Sequence, residues 1–271
     1  MRQRLMTFGV LMVKFFLSFF LIVFFCQSFA IELVIGTNQR DIYRFIDKQG
    51  HGKDIDLIEY IFSKLPYTYR IVEMPWARSL KSVETGAVDL TVAAANVEER
   101  RVYGLFSSHP YRYNYHMIFA IKDKISTLRQ IKQLPDIINK HVLIGALRGA
   151  VYSEEYNNLL KNEVFRNKIV FLDNDQHMPD VALKGRVDAY IDAEIEGKYY
   201  ISRSKKYRDN IVPLFRITSE EESAGYILFS KKTISQETVN EFDQVLFQLH
   251  SSGEYDRISL KYQKPKTRDS F

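Results

Sequence analysis

The chain has 271 residues, with 38 Lys and Arg against 33 Asp and Glu, a formal net charge of +5 and a single cysteine. This length allows one large hydrophobic core or two smaller ones. One cysteine excludes an intramolecular disulfide, and the mild positive charge is no argument for nucleic-acid binding.

The first 30 residues have the pattern of a secretory signal peptide. Two arginines give a positive start, an apolar run extends from Phe15 to Cys26, and small Ser28 and Ala30 precede a predicted cut after Ala30. A retained membrane anchor is the alternative, but the run after Lys14 is short for a span of about 20 residues. Cleavage would also remove the cysteine. We therefore expect a mature chain that begins at residue 31 and is soluble in the periplasm.

Strands and helices alternate after residue 30. Residues 31–35 predict a strand, and Ile55, Ile58 and Ile61 form the apolar stripe of a helix. A second helix begins near Trp76 and ends at Gly86, where a glycine commonly stops a helix. An apolar strand follows over residues 87–95. This alternation predicts an α/β fold with a mainly parallel sheet that is covered on both faces.

A short internal similarity suggests two α/β lobes of like construction. The segment "VETGAVDLTV" around Gly86 resembles "ALKGRVDAYI" around Gly185, and each predicts a helix end followed by a strand. The second lobe is expected to contain a strand over residues 142–146. A helix is predicted from about Gln236 to Ser251, with Phe242 and Leu246 among its inward residues.

Several segments, in this order, resemble the bacterial periplasmic solute-binding proteins of family 3, the amino-acid type. They are "GKDIDL", "PWARSLKSVETGAVDL", "EERRVYGLFSSHPY", "IGALRGAV", "GRVDAYID", "AGYILFSKK" and "LHSSGEYDRISLKY". The resemblance runs over nearly the whole mature chain. It implies a two-lobed, periplasmic-binding-protein-like (type II) fold with two hinge crossings and a ligand cleft between the lobes.

The same resemblance implies boundaries for the lobes. Residues 31–112 and 222–271 would form the first lobe, and residues 113–221 the second. The chain would cross between them near residues 111–115 and again near residues 218–224.

Two charged residues match positions that bind ligand in the family. Arg100 matches the arginine that grips the α-carboxylate of the ligand, and a guanidinium suits this role because its planar fork donates two charge-assisted hydrogen bonds. Its neighbour Arg101 is assigned to the surface. Asp192 matches the aspartate that takes the amino group, and it stands at the end of a predicted strand, where α/β sheets bind ligands.

Five further residues complete the predicted site. Gly149 should open a helix whose backbone N–H groups bind an anion, and Arg148 adds charge or is simply exposed. Trp76 is either a stacking wall for the ligand or a core residue. Arg78 and Tyr43 are the remaining candidates.

Three positions depart from the family pattern by lacking a hydroxyl group. They are Ala95, Ala150 and Val151. The carboxylate clamp is therefore thinner than usual in the family.

The resemblance implies a periplasmic protein that captures a small polar amino-acid-like or carboxylate solute for an ABC-type transporter or a receptor. We expect a monomer that binds no nucleic acid or cofactor and is not an enzyme. We also expect no metal site, since the histidines lack metal-ligand spacing. Two alternatives remain open. One is a cyclohexadienyl dehydratase-like enzyme, with Glu73 or Asp192 as the general acid. The other is an envelope interaction protein whose cleft binds nothing.

Overall fold

The computed structural model describes residues 31–38, 52–174 and 178–263. The predicted signal peptide, Tyr43 and the C-terminal tail lie outside these ranges. The described strands form two sheets, and both sheets belong to one compact unit that begins at Glu32.

The first sheet has the strand order β2-β1-β3-β11-β4, and β5 pairs with β11. Its strands are β1 (Ile31–Thr37), β2 (Tyr67–Glu73), β3 (Leu90–Ala94), β4 (Gly104–Phe106), β5 (Arg112–Tyr113) and β11 (Ala224–Ser230). Strand β3 lies parallel to β1, with Ile35 opposite Leu90, and antiparallel to β11.

The second sheet has the strand order β10-β6-β9-β7-β8. Its strands are β6 (His116–Ile121), β7 (Ile144–Leu147), β8 (Ile169–Leu172), β9 (Ala189–Ala193) and β10 (Ile211–Arg216). Strand β7 is parallel to both β8 and β9, whereas β6 is antiparallel to β9 and β10.

Helices connect the strands. They are α1 (Lys53–Phe62), α2 (Trp76–Thr85), α3 (Glu98–Arg101), α4 (Ile125–Leu128), α5 (Glu154–Leu159), α6 (Glu163–Arg166), α7 (Met178–Leu183), α8 (Glu194–Arg203), α9 (Lys205–Asn210), α10 (Gln236–Ser251) and α11 (Glu254–Gln263). Short 3₁₀ turns occupy Lys122–Lys124, Leu134–Asn139 and Glu221–Ser223. None of the helices in the described part of the chain has the length and hydrophobicity of a membrane-spanning segment.

Local sequence signals explain the best-predicted helices. Helix α2 ends at Gly86, whose φ of 77° is readily adopted by glycine. Helix α10 has the predicted bounds, and the Ser235 side chain caps it by accepting a hydrogen bond from the Thr238 N–H. Its inward residues Phe242 and Leu246 are fully buried, as the apolar stripe predicts.

Each sheet has its own hydrophobic core. In the first lobe, α1 and α10 pack on the sheet through residues such as Ile58, Phe229 and Phe242. In the second lobe, Ile144 and Phe165 belong to a separate cluster. The chain passes from the first sheet to the second after β5, and returns between β10 and β11. The predicted two-lobed α/β fold is therefore confirmed, while the exact lobe boundaries stay a prediction.

The expectation of a mainly parallel sheet is wrong. Both sheets are mixed, with antiparallel pairs along β11 in the first sheet and along β6 in the second. Strands β6 and β11 adjoin the two crossings, where the chain enters a lobe. Each of them runs in the direction opposite to its partner strands. A crossing strand needs no helical crossover of the kind that joins parallel neighbours.

Candidate functional site

A cavity of about 90 Å³ lies between the two lobes. In the first lobe its walls come from α2, α3 and the end of β3. In the second lobe they come from β7, α7 and β9, and both crossings also contribute. The lining residues include Trp76, Ala93, Ala95, Arg100, Arg112, Ala150, Val151, Met178, Ile191, Asp192 and Glu222. The cavity thus occupies the interlobe position that was predicted for the cleft.

Arg100 reaches this cavity from α3, and it is only 5% exposed. Its Nη1 donates to the Ala95 carbonyl at 2.9 Å, and its Nη2 donates to the Gly149 carbonyl at 2.8 Å. Burial lowers the pKa of the guanidinium, against the opposing influence of Tyr103 and Glu99. No described carboxylate forms an ion pair with Arg100, so its described hydrogen-bond partners are neutral carbonyl oxygens.

Trp76 is the first residue of α2 and both lines the cavity and packs in a core cluster. The side chain is 6% exposed, and its Nε1–H donates to the Gly149 carbonyl at 3.1 Å. The Arg100 guanidinium lies 5.8 Å from the centre of the indole ring. Trp76 therefore combines the two alternatives that the sequence left open, since its side chain both lines the cavity and packs in the core.

Asp192 lies near the end of β9, at the cavity wall opposite α3. It is 6% exposed, and its Oδ1 accepts a hydrogen bond from the Ala193 N–H at 2.7 Å. Asp188, just before the strand, instead accepts from the Leu143 N–H at 2.8 Å. The structure thus brings Asp192, Arg100 and Trp76 to one cavity.

Arg78 and Arg148 do not line this cavity. Arg78 is exposed, because two residues along a helix turn its side chain by about 200° from Trp76. Arg148 is also exposed and pairs with Asp173 at 2.6 Å. Tyr43 lies outside the described residues.

The expectation that Gly149 opens a helix is wrong. Gly149 forms a turn with a φ of 78°, and helix α5 begins only at Glu154. Ser153 determines this start, since its side chain accepts from the Tyr156 N–H at 3.2 Å. Gly149 faces the first lobe with its carbonyl oxygen, so the groups it presents to Trp76 and Arg100 are acceptors and not N–H donors.

A backbone irregularity shapes the cavity wall at Ala93. This residue has a φ of 60°, a value that non-glycine residues seldom adopt. It falls where the pairing of β3 with β11 shifts register, as in a β-bulge. A Cβ on Gly225 of β11 would lie 3.0 Å from the Ala93 Cα, so only glycine leaves room for this close approach. Strained positions of this kind concentrate at ligand sites.

Arg112 lines the cavity from the first crossing and was not among the residues predicted from the sequence. Its Nε lies 3.3 Å from Oδ1 of Asp54, the second residue of α1, and the side chains are 5% and 1% exposed. The pair ties the crossing to the first lobe. The available signal was the position of Arg112 within the predicted crossing at residues 111–115, because no motif contains it.

Glu222 was also missed, and it lines the cavity from the second crossing. Its carboxylate accepts hydrogen bonds from the Glu154 N–H at 2.6 Å and the Ser219 N–H at 2.8 Å. Burial alone raises the pKa of this carboxyl, but the hydrogen bonds from Ser219 and Glu154 outweigh it and hold the pKa below its usual value. Glu222 thereby fixes the crossing to the start of α5.

Among the described residues, no group of three or more His, Cys, Asp or Glu side chains could hold a metal ion.

The fold and the interlobe cavity define a two-lobed binding protein. Residues 33–265 match the sequence model of the bacterial extracellular solute-binding proteins, family 3. This match covers most of the chain, and the protein belongs to that family. No match was found among curated protein sequences.

Solved structures with the same fold include three informative ones. An ancestral arginine-binding protein bound to arginine is 23% identical, with a TM-score of 0.69 over 86% of this chain and 98% of the other. An amino acid ABC transporter substrate-binding protein from Streptococcus pneumoniae, bound to L-arginine, is 21% identical, with a TM-score of 0.67 over 86% and 93%. An ancestral amino acid-binding protein, a precursor of cyclohexadienyl dehydratase, is 23% identical, with a TM-score of 0.65 over 86% and 95%.

Proposed function

We propose that this solute-binding protein captures a small amino acid or a similar carboxylate in its interlobe cavity. The observation that carries the proposal is the Arg100 guanidinium, which is buried at the cavity with carbonyl oxygens as its described hydrogen-bond partners. Burial of a charge is costly unless an opposite charge or strong hydrogen bonds compensate for it. An anionic group in the cavity would supply that compensation.

Arg100 keeps enough donors for a carboxylate. A guanidinium has five N–H donors, and the two described hydrogen bonds use two of them. The remaining donors allow a charge-assisted contact with a carboxylate oxygen, the stronger class of hydrogen bond. Ala95, Ala150 and Val151 line the cavity without hydroxyl groups, so these three positions add no donor to the contact.

Asp192 gives the proposed site its second charge. It belongs to the other lobe, so a solute with a carboxylate and an amino group would be bound by opposite charges from the two sides. Such an arrangement favours a zwitterion over a simple anion, and three similar solved structures are named as amino-acid or arginine binders. We therefore place an α-amino acid first among the candidate ligands.

The cavity favours a solute of small size. Its volume of about 90 Å³ is less than the roughly 150 Å³ of an apolar cavity that binds benzene. Met178 and Ile191 contribute apolar surface to its wall. A short side chain fits this space, whereas a long one requires the lobes to move apart.

The family is one of binding proteins, and we propose that this member has no catalytic activity. Glu73, one candidate general acid, is exposed at the end of β2 and does not line the cavity. Asp192, the other candidate, does line the cavity and accepts a hydrogen bond from the Ala193 N–H. A binding role uses Asp192 as a fixed negative charge and needs no proton transfer from it.

We also propose a periplasmic monomer that delivers its solute to an inner-membrane ABC permease or a receptor. The support is the signal-peptide pattern in residues 1–30 and the extracellular character of the family. The mature chain would begin at Ile31.

Native mass spectrometry of freshly purified protein, followed by a thermal-shift screen, tests the proposed ligand class. The screen should contain L-amino acids, small carboxylates, prephenate and arogenate. A true ligand at 100 times its dissociation constant should stabilise the fold by about 2.7 kcal/mol. A screen without any stabilising compound would contradict solute binding, and product formation from prephenate or arogenate would contradict a non-catalytic role.

A further inference from the structure

One carbonyl oxygen of the second lobe accepts two hydrogen bonds from the first lobe. The acceptor is Gly149, in the turn that follows β7. The donors are the Trp76 indole at 3.1 Å and the Arg100 guanidinium at 2.8 Å. Both donors are buried, and such bonds are stronger away from water. The lobes are thus joined by polar contacts in which both partners belong to the protein.

Apolar contacts accompany this pair of hydrogen bonds. Leu147, the last residue of β7, packs against the first-lobe cluster of Trp76, Val83, Val88 and Leu228. It also packs against a second-lobe cluster. A single side chain therefore bridges the cores of the two lobes.

The turn also fits closely against the start of α2. A Cβ on Gly149 would lie 3.5 Å from Leu80 Cδ1 and 3.6 Å from the Ala77 Cα, which is van der Waals contact. The φ of 78° at Gly149 suits glycine and gives the turn its shape. Shape, apolar contact and hydrogen bonding all meet at this one place.

We propose that Trp76, Ala77, Leu80 and Arg100 form a docking site for the Leu147–Gly149 turn, and that this site holds the lobes together independently of any solute. Closure then comes from contacts within the chain, and a solute adds to an equilibrium that already favours the closed arrangement. The apparent affinity for a solute that binds only the closed form scales with the closed fraction. This inference holds whatever the solute is.

Trp76 is the natural reporter, since it is the only tryptophan of the chain. The protein should be unfolded in guanidinium and refolded to remove bound small molecules, and no solute should then be added. Acrylamide quenching of the Trp76 emission measures access to the indole. X-ray scattering measures the radius of gyration and hence the separation of the lobes. We expect quenching several-fold weaker than for a free indole.

Ala77→Leu should open the lobes, because the larger side chain would occupy the space next to Gly149. Lys81→Leu is the matched control, since Lys81 lies on the same helix but is exposed. Leu147→Ala weakens the docking from the other lobe and serves if Ala77→Leu does not fold. Ala77→Leu and Leu147→Ala should both raise the quenching several-fold and enlarge the radius of gyration, while Lys81→Leu should leave both unchanged.

Three results would overturn the docking site. The first is quenching of the wild-type protein as strong as that of a free indole. The second is an unchanged radius of gyration in folded Ala77→Leu or Leu147→Ala protein. The third is an equal expansion in Lys81→Leu. Because no solute is present, each result is independent of whether the protein binds an amino acid.

Discussion

The buried ion pair between Asp54 and Arg112 should matter far more to stability than the partly exposed pair between Asp56 and Lys261. Asp54→Asn removes a negative charge 3.3 Å from a guanidinium that is 5% exposed. Breaking a buried pair by altering one partner costs about 3–5 kcal/mol, because the remaining charge stays in a poorly solvated place. The Tyr111 hydroxyl bonds to the Asp54 backbone carbonyl at 2.9 Å, and the substitution leaves this contact in place.

Asp56→Asn is the matched control on the same helix. Asp56 pairs with Lys261 at 2.7 Å, and the Lys261 side chain is 49% exposed. Pairs of this kind contribute about 0–1 kcal/mol. Both variants should be unfolded in urea and followed by circular dichroism, where the expected difference is about 2–5 kcal/mol in the free energy of unfolding.

The expected shift in melting temperature follows from the same numbers. At about 2–4 °C per kcal/mol for a chain of this size, Asp54→Asn should melt roughly 6–20 °C below the wild type. Replacing both partners, as Asp54→Leu with Arg112→Met, should recover part of the loss. Equal destabilisation by Asp54→Asn and Asp56→Asn would show that the buried pair has no special role.

Three further outcomes can be measured. Gly197→Ala should lower the melting temperature, because the new Cβ would lie 2.2 Å from the ring of buried Phe119. This is the opposite of the usual effect, since alanine in place of glycine in a helix stabilises by about 1 kcal/mol. A higher melting temperature would contradict this packing. The folded-state pKa of Glu222 is lowered, so its contribution to stability is complete above the ordinary pKa of about 4.3 and is lost as the pH falls through the folded pKa. On acidification below about pH 4, Glu222→Gln should therefore lose less stability than the wild type. Parallel curves of unfolding free energy against pH for the two proteins would refute this. Mass analysis of protein from a Gram-negative host should find a mature chain that begins at Ile31, and an uncleaved chain in the membrane fraction would oppose secretion.

Local signals predicted the parts of the fold that depend on local periodicity. The apolar stripe of α10 and the glycine that ends α2 each act over a few residues, so their bounds were predictable. Strand direction is set by the distant partner, and for this reason the antiparallel pairs along β6 and β11 were not foreseen. The start of α5 was predicted at Gly149, but the cap at Ser153 determines where this helix begins.

The candidate site was predictable to the extent that family motifs contain its residues. Arg100, Trp76 and Asp192 stand in such segments and all reach the cavity. Arg112 and Glu222 stand in the crossings, where their roles depend on partners far away along the chain, Asp54 and Glu154. No pattern of residue types could identify these contacts.

Calorimetric titration of Arg100→Ala and Arg101→Ala tests the proposed role of the cavity most directly. The titrant is the L-amino acid that gives the largest thermal shift with the wild-type protein. Arg101 is exposed and donates to the Asn96 side chain at 2.7 Å, so its loss should change the affinity little. Loss of Arg100 should weaken binding by about 2–4 kcal/mol, because a charge-assisted contact with the carboxylate is lost. An equal loss at both positions, or a larger one at Arg101, would contradict a carboxylate site at Arg100.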